Sequence, residues 1–85
     1  MIWSEIRQAY PSRWLVVEAL EAHTTEDNFR QLDRLSVLEM CSSGSEAMQT
    51  YRHLHRQYPA REFYFLHTDR KELNIREIKW HGILR

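Results

Sequence analysis

The chain has 85 residues, enough for one small domain, and its twelve Lys and Arg balance twelve Asp and Glu. A domain of this size buries only about 60–65% of its unfolded surface, so oligomerisation would help to stabilise it. Zero net charge argues against a dedicated nucleic-acid binder and against an acidic tail, while the single cysteine, Cys41, excludes an internal disulfide and fits a reducing compartment.

Ser4–Tyr10 reads as a short helix capped by Ser4, with Ile6, Ala9 and Tyr10 on one side and Pro11 as its stop. RWLVVEALEAHT and LSVLEMC, rich in β-branched and apolar residues, are predicted strands. Asp27-Asn28 between them supplies turn chemistry, so a hairpin is expected. SGSEAMQTYRHLHRQYP is the clearest helix. Ser43 and Glu46 have capping-box spacing, and Ala47, Met48, Tyr51, Leu54 and Tyr58 form an apolar stripe opposite Gln49, Arg52, His53 and Arg56. REFYFLH is the third predicted strand. In the tail, Leu73, Ile75, Ile78 and Trp80 need burial as a helical turn, a fourth strand or an extended cover.

YPSR at Tyr10–Arg13 returns as YPAR at Tyr58–Arg61. In both places Tyr is the last anchor of a predicted helix, Pro prevents continuation and Arg opens a strand, so the repeat reads as structural punctuation. The expected fold is α+β in one domain over residues 1–85: an antiparallel three-stranded sheet of order 2-1-3, four-stranded if the tail joins it. One main helix packs on one face, with the short N-terminal helix beside it.

Catalytic signatures are weak. His53 and His55, two apart on a helix, point in different directions, and no Cys/His spacing suits zinc, so neither a metal nor another cofactor is expected. No base can be placed beside Cys41, and no glycine-rich phosphate loop is present. The chain is not expected to be an enzyme. MIWSEIRQAY lacks the basic start and apolar run of a signal peptide, and no run is long enough to span a membrane, so a cytoplasmic location is expected.

The hairpin suggests a surface. With a turn centred on Asp27-Asn28, Leu20 falls opposite Leu35, Glu18 opposite Val37 and Val16 opposite Glu39. One face then carries Leu15, Val17, Ala19, Leu38 and Met40, a natural floor for the main helix. The other carries Trp14, Val16, Leu20, Leu35, Val37 and Cys41, with Glu18 and Glu39 among them. Trp14, Val16, Glu18, Leu20, Leu35, Val37 and Glu39 are therefore the expected partner-binding residues, covered by a second copy or an unidentified protein, with Arg13, Arg61 or a partner's arginine near the glutamates. The alternative is a nucleic-acid-binding module using the Arg52/Arg56 ridge or the strand aromatics Tyr64 and Phe65. A third possibility is Glu18 and Glu39 as a general acid/base pair.

WSEIRQAYPSRWLVVEALEAHT, LSVLEMC, SEAMQTYRHLHRQYPAREFYFLHT and KWHGI together resemble a family of small uncharacterised bacterial proteins. The resemblance covers nearly the whole chain as a helix-YPxxW-hairpin-helix-YPxR-strand pattern. It implies no assigned activity and no catalytic signature.

Overall fold

A computed structural model of the chain describes residues 1–76. The fold is α+β, with α1 (Trp3–Ala9), β1 (Trp14–Thr24), β2 (Phe29–Cys41), α2 (Gly44–Gln57), β3 (Phe63–His67) and β4 (Ile75–Arg76) in chain order. The strands form a four-stranded sheet of order β3-β1-β2-β4 with every neighbouring pair antiparallel. The expected 2-1-3 core is present, and the tail contributes the fourth strand.

Local chemistry sets the element ends. α1 is capped by Ile2 rather than Ser4: the Ile2 N–H donates to the Glu5 carboxylate at 3.0 Å. At α2 the Ser43 hydroxyl accepts from the Glu46 N–H at 3.1 Å, and the Glu46 carboxylate accepts from the Ser42 hydroxyl at 2.7 Å. Both helices end alike. Tyr10 (φ −130°, ψ 69°) donates its N–H to Ile6 O at 2.9 Å, and Tyr58 (φ −129°, ψ 69°) donates to Leu54 O at 2.8 Å. The proline after each tyrosine keeps it out of helical geometry, so the repeated motif is the same stop used twice.

The hairpin closes with the Thr25 N–H bonded to Phe29 O at 2.8 Å and the Asn28 N–H to Thr25 O at 3.0 Å. Asn28 takes a left-handed φ of 65°, which its short amide tolerates. Beyond the turn the register departs from simple alternation. Val16 pairs with Glu39 as expected, but Val17 pairs with Val37, Glu18 with Ser36 and Ala19 with Leu35. Leu38, Leu20 and Asp33 are the extra residues at three irregularities. Each extra residue reverses the facing of the strand residues beyond it.

That reversal corrects the expected faces. α2 packs on Trp14, Val16, Cys41 and Phe65, with Ala47 and Leu54 as its contacts. The Leu15 and Val17 face belongs instead to α1, which sets Trp3 and Ile6 against Leu15, Val17, Leu35 and Leu66, with Val37 packed alongside. A two-turn helix suffices because Trp3 is large and anchored: its indole N–H donates to Arg70 O at 2.8 Å. Half-buried Tyr10, Leu32 and Leu73 extend the same cluster.

Thr68, just past β3, ties the layers together. Its N–H donates to Arg13 O at 3.0 Å, its hydroxyl accepts from the Arg13 N–H at 2.9 Å, and its carbonyl accepts from Arg7 Nε at 2.7 Å. In the tail, Leu73 is half-buried and Ile75 joins β4, while Ile78 and Trp80 lie outside the described residues. Among the described residues no helix is long and apolar enough to cross a membrane.

Candidate functional site

The seven residues expected to bind a partner do not share one surface. Trp14 and Val16 lie beneath α2, with Val16 fully buried. Leu35 and Val37 sit on the opposite face, packed in the α1 cluster. Leu20 stands exposed at an irregularity, and Glu39 is exposed at the end of the hairpin. The apolar patch is thus divided by the register and covered by the chain's own helices.

Glu18 meets one of the expected arginines. Arg61 grips it with two prongs: Nε donates to Oε2 at 2.8 Å and Nη2 donates to Oε1. The same guanidinium lies over the rings of Tyr58 (4.8 Å) and Phe63 (5.2 Å). Hydrogen bonding from Arg61 holds the Glu18 carboxyl below the usual carboxylate range. A carboxylate kept ionised by a guanidinium is a poor proton donor, so Glu18 does not suit the acid role in a pair with Glu39.

Close to this pair, a groove of about 520 Å³ borders the start of β3, lined by Arg30, Tyr51, His55, Arg61, Glu62 and Tyr64 among others. Its organising element is a second two-pronged ion pair: Arg30 Nε and Nη2 donate to Glu62 at 2.9 and 2.8 Å, and Arg30 Nη1 donates to Thr24 Oγ1 at 3.2 Å. The Tyr64 hydroxyl also donates to Glu62. Arg30 depresses the Glu62 carboxyl, and the Arg30 guanidinium is raised in turn. Burial, then Glu62, pushes the Tyr64 phenol up. Sequence reading missed this network because Arg30 and Glu62 are 32 residues apart and meet only in the folded sheet.

β3 itself forms an open edge. Among the described residues it is the terminal strand, paired with β1 from Trp14↔His67 to Glu18↔Phe63 without irregularity. Ala19 N–H donates to Glu62 O at 2.9 Å, and Thr68 N–H donates to Arg13 O at 3.0 Å. Antiparallel alternation then turns the backbone groups of Glu62, Tyr64, Leu66 and Thr68 toward β1, and those of Phe63, Phe65 and His67 toward the open side. Of these, His67 O already accepts from Arg70 N–H at 3.2 Å.

The residues of the nucleic-acid alternative are scattered. Arg52 and Arg56 are exposed on α2, with no ion pair among the described residues. Tyr64 faces the α1 cluster, and Phe65 lies between Trp14 (6.4 Å) and Tyr51 (5.3 Å), so neither is a free stacking platform. Cys41 is buried, which raises its thiol pKa. His23 and Asp33 meet at 2.6 Å on the exposed arm of the hairpin. No group of three or more His, Cys, Asp or Glu suited to a metal occurs among the described residues.

No family model matches the chain, and neither a curated protein nor a solved structure matches it.

Proposed function

We propose that the chain is a cytoplasmic protein-interaction module, acting as a homodimer or as the small subunit or regulator of a partner protein. One observation carries this reading: among the described residues β3 is the terminal strand, and the N–H groups of Phe63, Phe65 and His67 and the carbonyls of Phe63 and Phe65 face the open side of the sheet. Natural edges are blunted by Pro, charged side chains or bulges. Phe63–His67 contains no Pro, Lys, Arg, Asp or Glu, and its register with β1 is continuous. An edge of this kind is a template for strand addition. The test compares the wild type with His67→Pro, which removes one outward N–H at a position where an edge strand tolerates proline. Light scattering coupled to size exclusion reports self-association, and cross-linked capture in host lysate reports a heteromeric partner. The reading expects a complex in one of the two that His67→Pro weakens. A wild type that forms neither, or complexes indifferent to the substitution, counts against it.

A second reading, nucleic-acid binding, draws on the exposed pair Arg52 and Arg56. Their spacing of one helical turn presents two guanidinium groups side by side. The balanced charge of the chain weighs against it. Tight, salt-sensitive shifts of short RNA or DNA at low ionic strength would favour it over protein interaction.

A further inference from the structure

We propose that the segment 59–63 is an acid-released strap, which opens by itself while the rest of the fold stays closed once Glu18 and Glu62 take up protons. It joins the end of α2 to β3, and backbone bonds hold it only lightly. Ala19 N–H donates to Glu62 O at 2.9 Å, and Arg61 N–H turns back to Tyr58 O at 3.1 Å. The main fastening is a pair of forks made by two neighbouring residues of opposite charge. Arg61, on the Phe63 side of the chain, grips Glu18 of β1. Glu62, on the Tyr64 side, is gripped by Arg30 of β2. Each fork needs one ionised carboxylate, so one proton weakens each.

The other end of β3 is fastened without a carboxylate. Thr68 holds it through the Arg13 N–H, the Arg13 carbonyl and Arg7 Nε. Asp69 and His67 stand nearby but outside those three bonds: Asp69 accepts from the Ser12 hydroxyl at 3.0 Å, and His67 Nδ1 from the Asp69 N–H at 3.1 Å. No other group around the forks can replace a lost carboxylate. Tyr58 and Tyr64 are phenols, and His55 of α2 and Arg76 of β4 face the groove in which Glu62 is the one carboxylate among the described residues. Hydrogen bonds from Arg61 and Arg30 hold the Glu18 and Glu62 carboxyls below the usual range. The grip is therefore complete above the free glutamate value of about 4.3 and fades as pH falls through the lower folded values. Opening takes Glu62 out of the groove wall and uncovers Phe63, which is 5% exposed in the closed form.

Amide hydrogen exchange followed by NMR in urea, well below the unfolding transition, tests the strap. The Ala19 amide should exchange through an opening that barely depends on urea, whereas the Thr68 amide should follow the urea dependence of global unfolding. Between about pH 6 and pH 3, Ala19 protection corrected for intrinsic exchange should fall by about tenfold or more. The double variant Glu18→Gln with Glu62→Gln should show the low value already near neutral pH and lose the acid dependence. Ala19 and Thr68 amides that share one urea dependence at every pH overturn the strap, as does Ala19 protection indifferent to both acid and the substitutions. A double variant that circular dichroism shows to be unfolded overturns it too, because the forks would then hold the whole fold.

Discussion

Glu18 and Arg61, 43 residues apart in sequence, are joined by a two-pronged ion pair whose members differ in exposure: the Glu18 side chain is 13% exposed and Arg61 44%. The asymmetry predicts unequal effects of removing either partner. Arg61→Met leaves a mostly covered carboxylate without its donors, whereas Glu18→Gln leaves a guanidinium that still reaches water and the Tyr58 and Phe63 rings. Thermal unfolding should show the larger loss for Arg61→Met, and equal losses would contradict the geometry.

Glu62 gives the protein a signature in acid. Its folded-state pKa is depressed, first by the Arg30 hydrogen bonds. The resulting stability is fully present above the unfolded-state pKa of about 4.3 and is lost as pH falls through the lower folded value. Glu62→Gln should therefore cost about 1–2 kcal/mol near neutral pH. Denaturant titrations of both proteins should show the gap narrowing as pH falls below the unfolded-state value of about 4.3 and closing only below the lower folded-state pKa, where the wild-type carboxyl is protonated as well. A gap independent of pH would mean that packing, not charge, holds this corner.

α1 is the cover of one sheet face, and Ile6 is its fully buried anchor. Ile6→Ala should destabilise by about 2–4 kcal/mol in urea unfolding. Val37 lies on this same face, so Val37→Arg should lower stability by forcing a charge toward the α1 cluster. A stable Val37→Arg protein altered only in oligomeric mass would restore the undivided apolar face that alternation alone suggests.

Gly44, at the start of α2, sits against the Trp14 indole, where an added Cβ would lie 3.0 Å from one ring carbon and 3.1 Å from another. Trp14 has little room to yield, with the ring of His67 at 5.2 Å and that of Phe65 at 6.4 Å. Alanine normally strengthens a helix by about 0.8–1.0 kcal/mol over glycine. Here Gly44→Ala should give no such gain, and Gly44→Val should give a clear loss with a changed near-ultraviolet dichroism spectrum. A gain of the full helix-propensity amount would show that the indole moves freely.

The parts of the fold governed by local chemistry were legible in the sequence: the Ser43 cap, the apolar stripe through Ala47, Tyr51 and Leu54, and both Tyr-Pro stops. The facing of the hairpin was not. LSVLEMC has apolar residues in both phases of alternation, Leu35 and Val37 in one and Leu38 and Met40 in the other. Either phase can therefore face a helix, and the irregularity at Leu38 decides between them. Glu18's arginine followed from the need to pair a covered carboxylate, but Glu62 and Arg30 gave no such cue. Their meeting is a product of the tertiary fold, which no local pattern reports.

The bonds of Thr68 to Arg13 and Arg7 span 55 and 61 residues, which bears on the order in which the chain is assembled. β1 is the central strand and emerges early from the ribosome, yet its neighbour on one side is complete only once Thr68 has emerged. Until then the nascent hairpin carries β1 as a bare edge, with Val16 and Val17 awaiting Phe65 and Tyr64. Closing this long loop costs chain entropy before any contact repays it, so docking of β3 should limit the folding rate. Chains released before Thr68 would keep that edge and aggregate through it.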